Sequence, residues 1–153
     1  MSIAQPQPRT VRRDVDSDDR PTPQRFFDQL NREFGFTLDA AASIQNAKCG
    51  AFFSKDHDAL AQNWCGVVWC NPPYGIHVGR WVEKGYLEAQ DGATVVMLLP
   101  ANTDTRWFHD FCLKGEIRFI KGRLQFGNTD SVAPFASMVV IFRPCFSSLL
   151  VAP

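Results

Sequence analysis

The residues of this 153-residue chain best suited to chemistry form the segment Asn71-Pro72-Pro73-Tyr74, which follows the apolar residues 66–70. Two consecutive prolines fix two φ angles and remove two backbone N–H donors, so the Asn71 amide oxygen and the Pro72 carbonyl remain as acceptors on a stiff turn. Acceptors that draw on both N–H bonds help an exocyclic amine become pyramidal toward an electrophilic methyl group. The Tyr74 ring can stack on a base. The pattern therefore predicts methyl transfer to an amine.

A simpler interpretation of the same residues is a strand-ending Pro-Pro turn beside a half-buried tyrosine. The preceding apolar run favours a ligand site, because open parallel sheets bind ligands at the carboxyl ends of their strands. The site then depends on which elements surround it.

Hydrophobic periodicity predicts three helices. The first begins with Thr22 as N-cap and Pro23 at the first helical position and closes near Gly35, the second covers residues 78–89, and the third covers residues 105–114. Strands are predicted at residues 36–40, 66–70, 93–99, 116–120, 123–126 and 137–142. This alternation predicts an α/β fold with a mainly parallel sheet and helices on both faces, in which the final strands can be antiparallel.

Two acidic residues are candidates for binding a ligand near that edge. Asp39 closes the first predicted strand and precedes Ala40 and Ala41, whose small side chains let a ligand approach the backbone near helix-start N–H groups. Asp39 could instead only cap the following helix. Asp58 lies in the connection toward Asn71, where a solvated loop charge is the alternative.

Composition limits the classes of protein to which the chain can belong. Its length suits one domain, predicted at residues 21–143 between a disordered tail at 1–20 and a C-terminal tail at 144–153. No apolar run reaches the ~20 residues of a membrane span, and the N-terminus lacks a secretory signal, so we expect a cytoplasmic protein without membrane contact. The five cysteines show no C-x-x-C spacing, which argues against a disulfide framework and a zinc site.

In combination, nine segments resemble the phage-type DNA N6-adenine methyltransferases, the small Dam-like enzymes of phages and prophages. Two of these segments are Leu38-Asp39-Ala40-Ala41-Ala42-Ser43 and Trp69-Cys70-Asn71-Pro72-Pro73-Tyr74-Gly75. The others are residues 22–23, 46–47, 58–64, 94–100, 103–109, 122–126 and 133–135. The resemblance covers about residues 21 to 143 and implies an abbreviated Rossmann-like fold in the cytoplasm of a bacterial host.

The resemblance also implies an activity and assigns roles to residues. The activity is transfer of a methyl group from S-adenosylmethionine to N6 of adenine in double-stranded DNA. Asn71 and the Pro72 carbonyl hold the amine, Pro73 fixes the loop and Tyr74 stacks on the adenine through its ring. The cofactor-binding residues are Thr22, Pro23, Asp39, Ala40, Ala41 and Asp58. The usual Gly-x-Gly is replaced here by Ala-Ala-Ala, and only about thirty residues separate Asp39 from Asn71, so at least one strand of the usual seven-stranded sheet is expected to be missing.

The later part of the chain is expected to hold the DNA. Residues 114 to 143 contain five basic and two acidic residues, a net charge of 5 − 2 = +3, with Phe119, Phe126 and Phe135 interleaved. Such a face neutralises phosphates, although a solvated edge over core aromatics is the alternative. The residues assigned to DNA are Arg106, Lys121 and Arg123. Short loops near residues 75–79 and 127–134 must then select the DNA sequence.

Other functions stay open at this level. A methyltransferase that acts on a protein glutamine or an RNA amine would also carry Asn-Pro-Pro-Tyr. A third hypothesis is a non-catalytic, nucleic-acid-binding remnant of the fold, but the intact Asn71 motif argues against it. No metal is expected, and the expected state is a monomer or weak dimer.

Overall fold

Five strands form one mixed sheet in the computed structural model, which describes residues 20–127 and 132–145. The strands are β1 (Leu38–Asp39), β2 (Val67–Cys70), β3 (Thr94–Pro100), β4 (Glu116–Phe119) and β5 (Ser137–Phe142). They lie in the order β1-β2-β3-β5-β4. The pairs β1-β2 and β2-β3 are parallel, whereas β5 is antiparallel to both β3 and β4. The expected α/β sheet is confirmed in part: its first two strand pairs are parallel, but the sheet is mixed, because the last strand is antiparallel to both of its neighbours.

The antiparallel half of the sheet arises from the connection between β4 and β5. An antiparallel pair needs no crossover helix, and the described residues of this connection contain none. The strand predicted for residues 123–126 is not formed. Gly122 and Gly127 bracket this segment with φ angles of +80° and +67°, and it turns Phe126 into the core beside Tyr74.

Helices cover both faces of the sheet. Trp69 is in register with Val96 on one face, and Cys70 is in register with Met97 on the other. Helix α1 (Gln24–Phe34) packs Phe27 edge-on against Trp69, with ring centroids 5.6 Å apart. Helix α2 (Val78–Gln90) brings Gly85 against the Met97 side, where a Cβ on this glycine would lie 2.7 Å from the Met97 sulfur.

Two helix boundaries differ from the predictions. The N-cap of α1 is Pro23 and not Thr22, whose hydroxyl accepts a hydrogen bond from Asn71 instead. The third helix, α3 (Arg106–Asp110), is shorter than expected, and a 3-10 turn at Cys112–Lys114 follows it. Thr105 caps α3 by accepting a hydrogen bond from the Phe108 amide at 3.3 Å.

One edge of the sheet collects the segments that matter for function. Strands β1 to β4 all run in the same direction, because β4 is antiparallel to β5, which is antiparallel to β3. Their carboxyl ends therefore lead to Asp39, Asn71, the start of α3 and the loop after β4 at this edge. Phe135 lies there too, because it precedes the first residue of the reversed strand β5.

The described part of the chain bears on two further expectations. None of its helices is long and apolar enough to cross a membrane. The predicted tails fall outside the described residues, apart from Arg20 at one end and residues 144–145 at the other.

Candidate active site

Asn71 lies directly after β2, and its amide group is held in one orientation. Its Nδ2 donates to the Arg20 carbonyl at 2.6 Å and to the Thr22 hydroxyl at 3.0 Å. A flipped amide would point its oxygen at the Arg20 carbonyl, so these contacts assign the two ends. The Oδ1 atom is buried and has no hydrogen-bond partner among the described residues. Asn71 thus presents a buried acceptor that none of the described residues satisfies.

The two prolines give the turn its shape without cis peptide bonds, which the described residues lack altogether. Pro72 is buried and Pro73 is exposed. No backbone amide in the described ranges donates to the Pro72 carbonyl, which leaves a second acceptor beside Asn71.

Tyr74 is the buried centre of an aromatic cluster. Its hydroxyl donates to the Leu98 carbonyl at 3.0 Å, and the residue is only 7% exposed. The Tyr74 ring meets Phe126 and Phe135 edge-on, with centroids 6.1 and 5.5 Å away. Burial raises the pKa of the Tyr74 phenol well above its ordinary value, because the apolar surroundings disfavour the phenolate. The hydroxyl is thus a structural donor, a role that the motif alone did not indicate.

Asp39 is a buried carboxylate that organises the loop after β1. Its two oxygens accept hydrogen bonds from the Ala41 and Lys48 amides, at 3.3 and 3.0 Å. Desolvation raises the Asp39 pKa to about 6, although these two hydrogen bonds oppose the shift. No helix begins in residues 40–54, directly after β1, so the cap alternative is wrong and the expected helix-start N–H groups are absent here. Ala40, the next residue, is fully buried.

A small cavity of about 20 Å³ lies between these groups. Among the predicted site residues it is lined by Thr22, Asp39, Ala41 and Asn71, to which the structure adds Arg20 and Lys48. Ligand pockets usually measure ~300–1,000 Å³, so the segment before α1 closes this site tightly. A larger groove of about 540 Å³ borders the outer side of β1 near Phe52 and His57, but no predicted site residue lines it.

Three predicted cofactor residues, Pro23, Ala40 and Asp58, lie outside the lining of the cavity of about 20 Å³. Pro23 caps α1 through its carbonyl, which accepts from the Phe27 amide at 3.1 Å. Asp58 is exposed between two 3-10 turns, with a φ of +46° that is unusual outside glycine. The cofactor role of Asp58 stays a prediction.

The basic residues of the later chain divide into two groups. Arg118 pairs with Glu33 and Glu116, and Arg143 pairs with Glu116, so neither presents a free charge. Arg106, Lys121 and Arg123, the three residues predicted to bind DNA, are exposed and form no ion pair within the described residues.

Sequence reasoning missed the role of Arg20, which it assigned to the tail. The Arg20 guanidinium lies over the Phe135 ring at 5.1 Å and over Phe126 at 6.0 Å. The polar composition around Arg20 gave no signal for this placement, because the contacts are with distant residues.

The described residues contain no group of three or more histidines, cysteines or acidic residues placed to hold a metal ion. All five cysteines are free. Burial raises the pKa of Cys49 to about 11 and that of Cys112 to about 12, so both are thiols at neutral pH.

Comparison with known proteins agrees with the motifs. A family model described as DNA N-6-adenine-methyltransferase (Dam) matches residues 9–150. The DNA N-6-adenine-methyltransferase of Haemophilus phage HP1 is 32% identical over 143 residues, which cover 84% of this chain and 80% of the phage protein. The protein of that name from Escherichia phage T1 is 36% identical over 91 residues, or 57% of this chain and 37% of the T1 protein. The resemblance is confirmed, and the chain belongs to the DNA N-6-adenine-methyltransferase (Dam) family.

Proposed function

We propose that this protein transfers a methyl group from S-adenosylmethionine to N6 of adenine in double-stranded DNA. The observation that carries this proposal is the unsatisfied Asn71 Oδ1, which is buried at the end of β2. A buried acceptor without a donor costs about 1–3 kcal/mol, so its presence indicates that a ligand supplies the donor. An exocyclic amine fits this requirement, because it has two N–H bonds to share between Asn71 and the Pro72 carbonyl.

The residues around Asp39 fit a cationic methyl donor. A carboxylate that burial makes costly to ionise gains most from a ligand with a positively charged group, which the amino acid end of S-adenosylmethionine provides. Asp39, Ala40, Ala41 and Thr22 would hold this end. When bound, S-adenosylmethionine supplies a methyl group on a sulfonium that leaves as a neutral thioether.

The contribution of the protein to the reaction is alignment and hydrogen-bond acceptance. Asn71 Oδ1 and the Pro72 carbonyl orient the amine and stabilise the positive charge that grows on its nitrogen, until the methylated amine loses one proton to solvent. The Pro72-Pro73 backbone keeps both acceptors in place without reorganisation. Tyr74 forms a wall of the base site through its ring. Burial excludes water, so the acceptors act in a medium of low dielectric constant.

The finer description of the fold is an abbreviated Rossmann-like methyltransferase domain. The parallel strands β1 to β3 with helices on both faces support it, as does the position of Asn71 and Asp39 at adjacent strand ends. On the outer side of β1, a single parallel bridge joins Asp39 to Phe52. This bridge stands where a longer sheet would continue, which supports the expected loss of strands.

The exposed cations at the same edge are our candidates for binding DNA. Arg106 begins α3, and Lys121 and Arg123 follow β4, so all three lie near the carboxyl ends that carry Asp39 and Asn71. The target adenine must leave the duplex to reach Asn71, because N6 cannot meet a buried site while it is stacked. We place this activity in the cytoplasm of a bacterial host.

The proposal is tested by the class of substrate that becomes methylated. The protein is incubated with tritiated S-adenosylmethionine and with DNA, RNA or protein from unmethylated sources, and the labelled product is digested and analysed by mass spectrometry. We expect label in DNA on N6 of adenine. Label in RNA or in glutamine would replace this proposal with one of the other amino-group methyltransferases, and no label in any substrate would favour a non-catalytic remnant.

A further inference from the structure

The space in front of the Phe135 ring is filled by the Arg20 side chain. The guanidinium carbon lies 5.1 Å from the centroid of Phe135 and 6.0 Å from that of Phe126. Tyr74 closes the cluster, with its ring edge-on to both phenylalanines. A planar, delocalised cation therefore lies on an aromatic surface next to the motif that is proposed to hold a planar base.

The backbone of Arg20 is bound to that same motif. Its carbonyl accepts from Asn71 Nδ2 at 2.6 Å, and the next carbonyl, of Pro21, accepts from the Gly127 amide at 2.9 Å. Asn71 and the Phe135 surface are therefore no farther apart than one arginine residue can span. A base whose amine meets Asn71 Oδ1 would need the volume that the Arg20 side chain occupies.

The Arg20 side chain has few other attachments that would hold it in this place. Its Nε is buried without a hydrogen-bond partner in the described part of the chain. Within the same ranges, no carboxylate forms an ion pair with the guanidinium. Because the Arg20 guanidinium has no ion-pair partner within the described residues, it is held mainly by its aromatic contacts, so another planar group can replace it at low cost.

From these contacts we infer that Phe135, Phe126 and Tyr74 form the subsite for the extruded adenine, and that Arg20 occupies this subsite until the base displaces it. This inference rests on the proposed function and extends it, because it makes Phe135 a base-binding residue and Arg20 a competitor of the substrate. The occupied subsite protects an apolar surface that would otherwise be exposed beside Asn71.

A double-mutant cycle tests the competition. The variants are Arg20→Ala, Phe135→Leu and both together, and the measured quantity is the DNA concentration that gives half the maximal single-turnover rate of adenine methylation. Removing the competitor should lower this concentration about 3- to 30-fold in Arg20→Ala, which is the range of a partly desolvated cation–π contact. Phe135→Leu should raise it about 10- to 100-fold through the loss of base stacking.

The decisive result is the double variant. If Arg20 and the base share one surface, Arg20→Ala should have no effect once Phe135 is leucine. Phe135→Tyr keeps the aromatic face and should restore the Arg20 effect, which separates stacking from general damage to the core. Arg25→Ala removes an exposed cation five residues along the chain and should leave the half-saturating concentration unchanged.

Three outcomes would overturn the inference. In the first, Arg20→Ala weakens DNA binding, and the loss is the same with phenylalanine or leucine at position 135. Arg20 would then be a DNA contact. An unchanged half-saturating concentration in Arg20→Ala would show that the base does not compete with it. If the wild-type protein methylates no adenine in DNA, both this inference and the proposed function are wrong. If it methylates adenine but the effects of the Arg20 and Phe135 substitutions are independent of each other, only the inference is wrong.

Discussion

Asn71 combines two tasks that the side-chain amide can perform at opposite ends. Its Nδ2 ties the segment before α1 to the end of β2, through the Arg20 carbonyl and the Thr22 hydroxyl. Its Oδ1 is buried and accepts no hydrogen bond from the part of the chain that the structure describes. An aspartate at this position would keep an acceptor for the amine but would set a second oxygen against the Arg20 carbonyl. Asparagine is therefore suited to a site in which a backbone carbonyl, that of Arg20, lies against one end of the side-chain amide.

Tyr74→Phe should destabilise the protein, although the motif alone suggested that only the ring matters. The hydroxyl donates to the buried Leu98 carbonyl, and its loss leaves that carbonyl without this donor. We expect the free energy of unfolding to fall by about 1 kcal/mol, as measured by denaturant titration.

A matched control for this variant is Tyr86→Phe. Tyr86 is half-buried and packs its ring on Phe111 and Phe142, but its hydroxyl forms no hydrogen bond within the described residues. This control should lose less than about 0.5 kcal/mol. Equal stability of Tyr74→Phe and the wild type would show that the Leu98 contact contributes nothing.

Asp39 should make stability depend on pH in a defined direction. Its folded pKa of about 6 lies above the ordinary value of 3.8, so the native state binds the proton more tightly than the unfolded chain does. Stability from this group is therefore fully present below about pH 4 and is lost as the pH rises through 6. The expected loss is about 3 kcal/mol, from roughly two pH units at 1.36 kcal/mol each.

Denaturant titration at several pH values between 4 and 7.5 measures this effect. The side chain at position 39 in the Asp39→Asn variant cannot ionise. Whatever the absolute stability of this variant, its free energy of unfolding should therefore fall less steeply between pH 4 and 7.5 than that of the wild type. Asp28→Asn, an exposed acid on α1, should keep the wild-type slope. If the free energy of unfolding changed with pH equally in the wild type and in Asp39→Asn, Asp39 would not be the buried acid described here.

Among the helices and strands, the features that depend on local sequence were predicted correctly, and those that depend on contacts between distant residues were not. Strands β2, β3 and β5 were predicted to within one residue, because long apolar runs need only a sheet covered on both faces. Residues 123–126 alternate polar and apolar side chains as a half-buried strand does, yet Phe126 is buried against the Tyr74 ring and not in a ladder. Arg20 could not be predicted, because it is positioned by Asn71, 51 residues away, and by aromatic residues still farther along the chain.

The site residues also divide into those that local sequence determines and those that distant contacts determine. The motif around Asn71 identified the acceptor, since its local sequence determines both the stiff turn and the amide. The environment of Asp39 was not predictable, because its partners are backbone amides of a loop whose path no local pattern specifies.

The loop after β4 should govern the salt dependence of DNA binding. Lys121→Ala and Arg123→Ala should each weaken binding similarly for all DNA sequences and should reduce the slope of log K against log salt by about one unit. Arg32→Ala is the control, because this exposed cation lies in the last turn of α1, at the opposite end of the sheet. A slope that moves in neither variant would exclude this loop as a phosphate contact.

At the scale of the whole molecule, one edge of a five-stranded sheet carries all the proposed chemistry. Asp39 and Asn71 lie at adjacent strand ends, and Arg106, Lys121 and Arg123 follow the carboxyl ends of β3 and β4 at the same edge. Tyr74, which packs against Phe135, follows Asn71 in the same turn. The loop after Tyr74 is at the same edge and presents Ile76, which is 93% exposed. Together with residues 127–134, this loop is where we expect the DNA sequence to be selected.

The central claim is that Asn71 Oδ1 accepts the moving amine, and single-turnover methylation of DNA by Asn71→Ala tests it most directly. The account predicts that the rate of N6-adenine methylation falls about 100- to 1,000-fold at saturating S-adenosylmethionine and DNA, as for removal of one preorganised transition-state partner. S-adenosylmethionine affinity, measured by calorimetry, should change much less. Methylation by folded Asn71→Ala at the wild-type rate would contradict the account.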